Sequence, residues 1–189
     1  MSVRTVVWAS WYLGLYSFGY GKLESALERA TDLYRGVPEA ELEAQTRAWF
    51  RTEVAHHLRS GAAACLHEHR ARGDELVLCT SSSIYMARAA SDAWNLDGCI
   101  ATEFEVEDGC MTGRISKMGY GHHKLTRARA WVDARGIDLA DCSFYTDSYT
   151  DRDLLRAVGH PIVIAPDRRL ARLAVEQGWP TVQWGPRRS

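Results

Sequence analysis

The chain has 189 residues, 46% of them hydrophobic and 25% charged, and its formal net charge is -1 at pH 7. This composition is typical of a soluble globular protein of one domain, with at most a small accessory module. The near-neutral charge excludes the strongly basic footprint that nucleic-acid binding usually requires, so we expect no nucleic-acid partner.

The cysteines are odd in number, five in all, and show neither Cys-x-x-Cys nor Cys/His finger spacing. A disulfide framework or a zinc finger is therefore not expected. The pattern favours a reduced, cytoplasmic protein whose cysteines pack as small apolar side chains.

The N-terminal run at residues 5–21 has no charged residue and is rich in aromatic side chains. It is shorter than the roughly 20 apolar residues of a spanning helix and is interrupted by Ser and Gly. It also lacks the apolar core and cleavage site of a secretory signal. We interpret it as a helix of an accessory cap; attachment to a membrane or partner is the alternative, which the absence of Lys and Arg disfavours.

Helical periodicity dominates the first third of the chain. The spacing of apolar residues predicts helices over 22–34 and 38–58. A third helix is predicted over 60–72, with Ser60 as its N-cap. We therefore expect a helical cap region at residues 1–58.

Strands and helices alternate through residues 59–189, which we expect to form an α/β core. This alternation favours a parallel sheet with helices on both faces. Asp108-Gly109 predicts a hairpin turn within it. The predicted strands cover residues 75–80, 99–106, 142–146, 161–165 and 181–184, and the predicted helices cover 84–95, 122–135, 151–158 and 167–177.

Two carboxylates follow the apolar strand at 142–146. Asp147 directly follows the strand and Asp151 opens the next helix. Magnesium prefers carboxylate oxygens, and open α/β sheets bind ligands at the carboxyl ends of their strands. The pair therefore predicts a Mg²⁺ site, with a plain N-cap role for Asp151 as the alternative.

Hydroxyl side chains and a lysine predict where an anion binds. Thr80, Ser81 and Ser82 lie between a strand and a helix, where hydroxyls and free backbone N–H groups can hold a phosphate. A serine N-cap is the plainer alternative. Lys124 lies at the start of a helix, which is unfavourable for a cation and indicates that another group holds it; a solvated lysine is the alternative.

Taken in order, these residues resemble the second, third and fourth motifs of the haloacid dehalogenase superfamily. The segment from Tyr145 to Asp151, followed by Leu154-Leu155, is most similar to the phosphoserine-phosphatase-like branch. Residues 159–179 are also similar to the end of that branch's domain. The resemblance implies a Rossmannoid parallel sheet with an α-helical cap, and Mg²⁺-dependent hydrolysis of a small phosphorylated metabolite through an aspartyl phosphate.

The resemblance also implies roles for individual residues. Thr80, with Ser81 and Ser82, would bind the phosphoryl oxygens, and Lys124 would neutralise the charge that develops on them. Asp147 would be a direct magnesium ligand. Asp151 would be a second ligand, or would orient a metal-bound water or Lys124.

The family's first motif, Asp-x-Asp-x-Thr/Val after an apolar strand, is missing from the sequence. The one Asp-x-Asp is Asp151-Arg152-Asp153, which follows no strand of its own. In the family this motif supplies the nucleophile, and its strand is central, between those that carry Thr80 and Asp147. We therefore expect a phosphatase whose nucleophile lies upstream of Met1, or an inactive relative that acts in binding or assembly.

Overall fold

The computed structural model describes residues 28–185, so the aromatic run at 5–21 and most of the first predicted helix lie outside the described residues. Contacts between Cα atoms separate two compact units. Residues 28–39 group with Phe104–Ile115, and Ala40–Glu103 groups with residues 116–185. The sequence analysis assigns residues 40–58 to the cap, but in the structure they group with the strands. That residues 1–58 act as a cap over the site stays a prediction.

The smaller unit is a short helical segment and a hairpin. Residues 28–32 are helical. Pro38 forms an antiparallel bridge to Cys110, and Gly36 donates its N–H to the Met111 carbonyl at 2.8 Å. The hairpin turn at Asp108-Gly109 is confirmed, with φ of 50° and 75° as a tight primed turn requires.

Two helices precede the first strand of the larger unit. Helix α1, Glu39–Glu53, is shorter than predicted, because Val54 at φ -121° leaves the helical backbone and a 3₁₀ turn follows at Ala55–His57. Helix α2, Ser60–Arg72, has the predicted bounds. The prediction that Ser60 caps it is wrong, since the capping position is Arg59, which makes no side-chain capping bond.

The first sheet has the order β1-β2-β3, with strands Val77–Ser83, Gly98–Glu107 and Cys110–Lys117. Strands β1 and β2 are parallel, with Cys79 opposite Ile100. Helix α3, Ile84–Trp94, connects them, and the Ser83 hydroxyl caps it by accepting the Met86 N–H. The serine N-cap considered from the sequence is therefore real at Ser83 and leaves Ser81 and Ser82 outside the helix.

The second sheet has the order β4-β5-β6 and is parallel throughout. Asp167 caps its last helix by accepting the N–H groups of Arg169 and Leu170. The predicted helix 151–158 is wrong in extent, because a 3₁₀ turn at Tyr149–Asp151 comes first. The strands are Ser143–Thr146, His160–Ile164 and Thr181–Val182, and the helices are α4, His122–Asp133, α5, Arg152–Leu155, and α6, Arg168–Gln177.

One apolar cluster joins the two sheets. Ile100, Val132 and Leu154 are buried in it, and residues of both β1 and β4, such as Cys79 and Phe144, pack against it. The α/β class is thus confirmed. Within residues 28–185, however, the expected single sheet is two three-stranded sheets, and β1 and β4 each lie at an edge.

In the part of the chain that the structure describes, no helix is both long enough and apolar enough to cross a bilayer. All five cysteines lie in this part, and all are free thiols.

Candidate functional site

The centre of the candidate site is a buried ion pair between Lys124 and Asp151. Lys124 Nζ lies 2.8 Å from one carboxylate oxygen of Asp151 and 2.9 Å from the other. Each residue is only 4% exposed. Burying a charge is costly unless it is paired, so the two residues depend on each other. The expectation that another group holds Lys124 is confirmed, and that group is Asp151.

Two hydroxyl groups complete the coordination of Asp151. Thr146 donates to Asp151 Oδ2 at 2.8 Å, and Thr150 donates to Oδ1 at 3.3 Å. The Asp151 side chain makes no helix-capping bond, so the plain N-cap alternative is wrong. Both carboxylate oxygens are engaged with neighbours, and the role of Asp151 as a direct metal ligand stays a prediction.

Asp147 presents an exposed carboxylate directly after β4. Its side chain has no hydrogen-bond or ion-pair partner among residues 28–185, and no group of three His, Cys, Asp or Glu side chains is arranged there to hold a metal. Magnesium is usually held by one or two carboxylates together with waters and substrate phosphate. A single free carboxylate at a strand end fits such an ion when further ligands come from elsewhere.

The phosphate-binding residues predicted from the sequence lie in a bulge of β1. Cys79 pairs with Ile100 and Ser83 pairs with Thr102, so the three residues between them face a single residue of β2. These three are Thr80, Ser81 and Ser82. Bulges of this kind redirect side chains next to active sites. Thr80 Oγ accepts the Ser82 N–H at 3.2 Å, which closes the bulge on itself.

Cys79 is the residue before this bulge, and the charges of Lys124 and Asp151 affect the pKa of its thiol. Burial raises its pKa to about 11; the charge of Lys124 lowers it and that of Asp151 raises it. A thiol with so high a pKa stays protonated near neutrality and is a poor nucleophile. Cys79, which precedes Thr80, therefore lies within electrostatic range of Lys124 and Asp151, and Thr146, which donates to Asp151, directly precedes Asp147.

A profile of the haloacid dehalogenase-like hydrolases matches residues 3–156. The chain belongs to the haloacid dehalogenase-like hydrolase family. Its parallel strand pairs, β1 with β2 and β4 with β5 and β6, agree with the fold that the sequence suggested.

Similar proteins support the phosphoserine-phosphatase-like branch of this family. Phosphoserine phosphatase SerB1 of Mycobacterium tuberculosis is 30% identical over 152 residues, which are 80% of this chain and 49% of that protein. The inhibition of morphological differentiation protein of Streptomyces azureus is 34% identical over 124 residues, covering 65% of this chain and 45% of that protein. The chain therefore spans about half the length of these curated relatives.

A solved structure shares the fold at higher coverage. A Bordetella pertussis protein of unknown function superposes with a TM-score of 0.78 at 30% identity, over 86% of this chain and 74% of that one. The architecture of this haloacid dehalogenase-like chain is therefore that of an experimentally known protein.

A second polar network was missed by sequence reasoning. His69 is buried, and its two ring nitrogens lie 2.7 Å from Asp74 Oδ2 and 2.7 Å from the Tyr145 hydroxyl. Burial is the main cause of the raised pKa of the Tyr145 phenol. The carboxylate five residues after His69 was the available signal, but its phenol partner is 76 residues away in the sequence.

Proposed function

We propose that this haloacid dehalogenase-like protein is a Mg²⁺-dependent hydrolase of a small phosphomonoester, acting through an aspartyl phosphate. The nucleophilic aspartate would come from a strand that is not among these 189 residues. The observation that carries the proposal is the buried Lys124–Asp151 pair, which holds a cation next to the carboxyl end of β4. Such a cation serves phosphoryl transfer, which depends mainly on positioning and charge neutralisation.

The residues of the chain would divide the work as follows. Thr80 and the backbone N–H groups of the bulge would hold the phosphoryl oxygens, assisted by Ser81 and Ser82. Lys124 would neutralise the charge that develops during transfer, while Asp151 holds the ammonium group in place. Preorganised charge of this kind lowers a barrier because it needs no rearrangement during the reaction.

Asp147 would be the chain's principal ligand to Mg²⁺, with Asp151 as the second candidate. Bound magnesium would supply positive charge that offsets the phosphoryl oxygens. The exposed, unpaired carboxylate of Asp147 supports this assignment. Asp151 is the weaker candidate, because both of its carboxylate oxygens already contact the Lys124 ammonium group.

Several broader features belong to the same proposal. Residues 1–58 would act as a cap that selects the substrate and excludes water. The five free cysteines support a reducing, cytoplasmic location.

An inactive binding or assembly role is the second candidate, favoured by the absence of an Asp-x-Asp after any strand of this sequence.

The test is hydrolysis of p-nitrophenyl phosphate by the native protein purified from its own cells, with and without Mg²⁺. We expect activity that needs Mg²⁺ and falls on the order of a hundredfold in Asp147→Asn. Asp141→Asn is the matched control, since Asp141 is an exposed carboxylate at the opposite end of β4. Absence of activity in the native protein would favour the binding role, and equal losses in both variants would contradict the assignment of Asp147.

A further inference from the structure

Thr102 connects two segments of the site that are far apart in the sequence. It lies on β2, opposite the end of the β1 bulge, and is only 2% exposed. Its hydroxyl donates to the Ser81 carbonyl at 3.0 Å and accepts the Gly119 N–H at 3.2 Å. One hydroxyl group therefore uses both its donor and an acceptor on backbone groups of the two segments.

The contact with Gly119 leaves no room for a side chain at this position. A Cβ added at Gly119 would lie 2.6 Å from the Thr102 nitrogen and 2.9 Å from the Thr80 carbonyl oxygen. The loop that leads into α4, and so to Lys124, is thus packed against the bulge that carries Thr80. Contact this close between backbones requires glycine.

We propose that Thr102 is a positioning residue that fixes the phosphate-binding bulge of β1 relative to Lys124. The bulge has left the β ladder, so a side chain must satisfy the Ser81 carbonyl and hold it in place. The same side chain orients the loop before α4. The inference rests on the proposed function for what the bulge binds, but the coupling of the two segments stands on the geometry alone.

Three variants of the full chain separate positioning from general stability. Thr102→Val keeps the shape and removes the hydroxyl, whereas Thr102→Ser keeps the hydroxyl and should restore binding. Thr46→Val is the matched control, because Thr46 is also buried and its hydroxyl donates to Leu42 O at 2.8 Å within its own helix. Inorganic phosphate and Mg²⁺ are titrated separately into each protein by calorimetry.

We expect Thr102→Val to weaken phosphate binding about tenfold, because it leaves the partly buried Ser81 carbonyl and the buried Gly119 N–H without partners. Its Mg²⁺ affinity should match that of the parent, since Asp147 follows the other edge strand. Thr102→Ser should bind phosphate as the parent does, as should Thr46→Val. Equal phosphate affinities in Thr102→Val and Thr46→Val would overturn the proposal.

Amide hydrogen exchange decides the case in which the parent chain binds no phosphate. A parent chain that binds no phosphate would count against the proposed function. The coupling between the β1 bulge and the loop before α4 would then be judged on exchange rates. If Thr102→Val, and not Thr102→Ser, speeds exchange at both Gly119 and Ser82, the coupling holds, because Ser82 bonds to Thr80 and has no direct bond to the Thr102 hydroxyl. Unchanged exchange at Ser82 overturns it.

Discussion

Lys124 and Asp151, 27 residues apart, form a two-pronged ion pair in which one ammonium group contacts both oxygens of one carboxylate. Lys124 comes from the first turn of α4, and Asp151 from the 3₁₀ turn after β4. The pair therefore connects a helix packed on β1 with the end of the second sheet. The pair stabilises the fold, and its Lys124 ammonium group is the cation of the candidate site.

Removing the lysine should destabilise the protein severely. Lys124→Met leaves Asp151 as a buried charge without its partner, and breaking a buried pair in this way typically costs about 3–5 kcal/mol. Urea unfolding at pH 7 measures the change. The double variant Lys124→Met/Asp151→Asn should recover part of the loss, because it removes the stranded charge.

A surface pair provides the control for that experiment. Lys117 lies 2.9 Å from Glu103 but is 63% exposed. Exposed pairs contribute roughly 0–1 kcal/mol, so Lys117→Met should lower the free energy of unfolding by no more than this. Equal losses in Lys117→Met and Lys124→Met would contradict the view that burial makes the inner pair important.

A side chain at Gly119 should disturb the site locally. In Gly119→Ala the new Cβ meets backbone atoms that cannot rotate away, and such overpacking costs about 1–3 kcal/mol. In a ¹⁵N-resolved NMR spectrum the amides of Thr80 and Thr102 should shift. Gly136→Ala is the comparison, since open space surrounds Gly136 and only its φ of +67° strains the new residue. Unshifted Thr80 and Thr102 amides in Gly119→Ala would contradict the close packing.

Whether the sequence predicts a feature of the fold or of the site depends on how far apart in the chain the interacting residues lie. The strand, loop and helix order around Thr80 and Asp147 follows from local apolar runs and turn residues. The unfavourable place of Lys124 at a helix start indicates that another group holds it, but not which one. The two-residue excess in β1 leaves no such local mark, because it is defined by pairing with β2. Thr102 and His69 were missed for the same reason, since their partners are brought close only by the fold.

The Tyr145 hydroxyl should stabilise the protein through His69. Tyr145→Phe keeps the ring stacked on Trp184, whose centroid is 5.8 Å away, but leaves a His69 nitrogen without its partner. We expect a loss of about 1–3 kcal/mol in thermal or urea unfolding. Tyr149→Phe is the control, because the Tyr149 ring packs against the cluster around Leu155 and beneath Arg152, and Phe keeps both contacts. A loss in Tyr145→Phe no larger than in Tyr149→Phe would show that the His69 bond contributes little.

The thiol of Cys79 should make stability fall at alkaline pH. Its pKa in the folded protein is raised to about 11 from an ordinary value of 9.0. Below pH 9 the thiol is protonated in both states; between about pH 9 and 11 only the unfolded chain loses the proton, so the free energy of unfolding decreases as pH rises. Two pKa units correspond to about 3 kcal/mol.

Other groups titrate in the same range, so the informative quantity is the difference between the parent and Cys79→Ala. The variant is less stable at pH 7, because it loses buried sulfur, but its free energy of unfolding should fall less steeply between pH 9 and 11. Urea unfolding at intervals of half a pH unit measures both slopes. Parallel curves for the two proteins would mean that the Cys79 thiol ionises as readily in the folded state as in the unfolded one, and that the site around Lys124 is open to water.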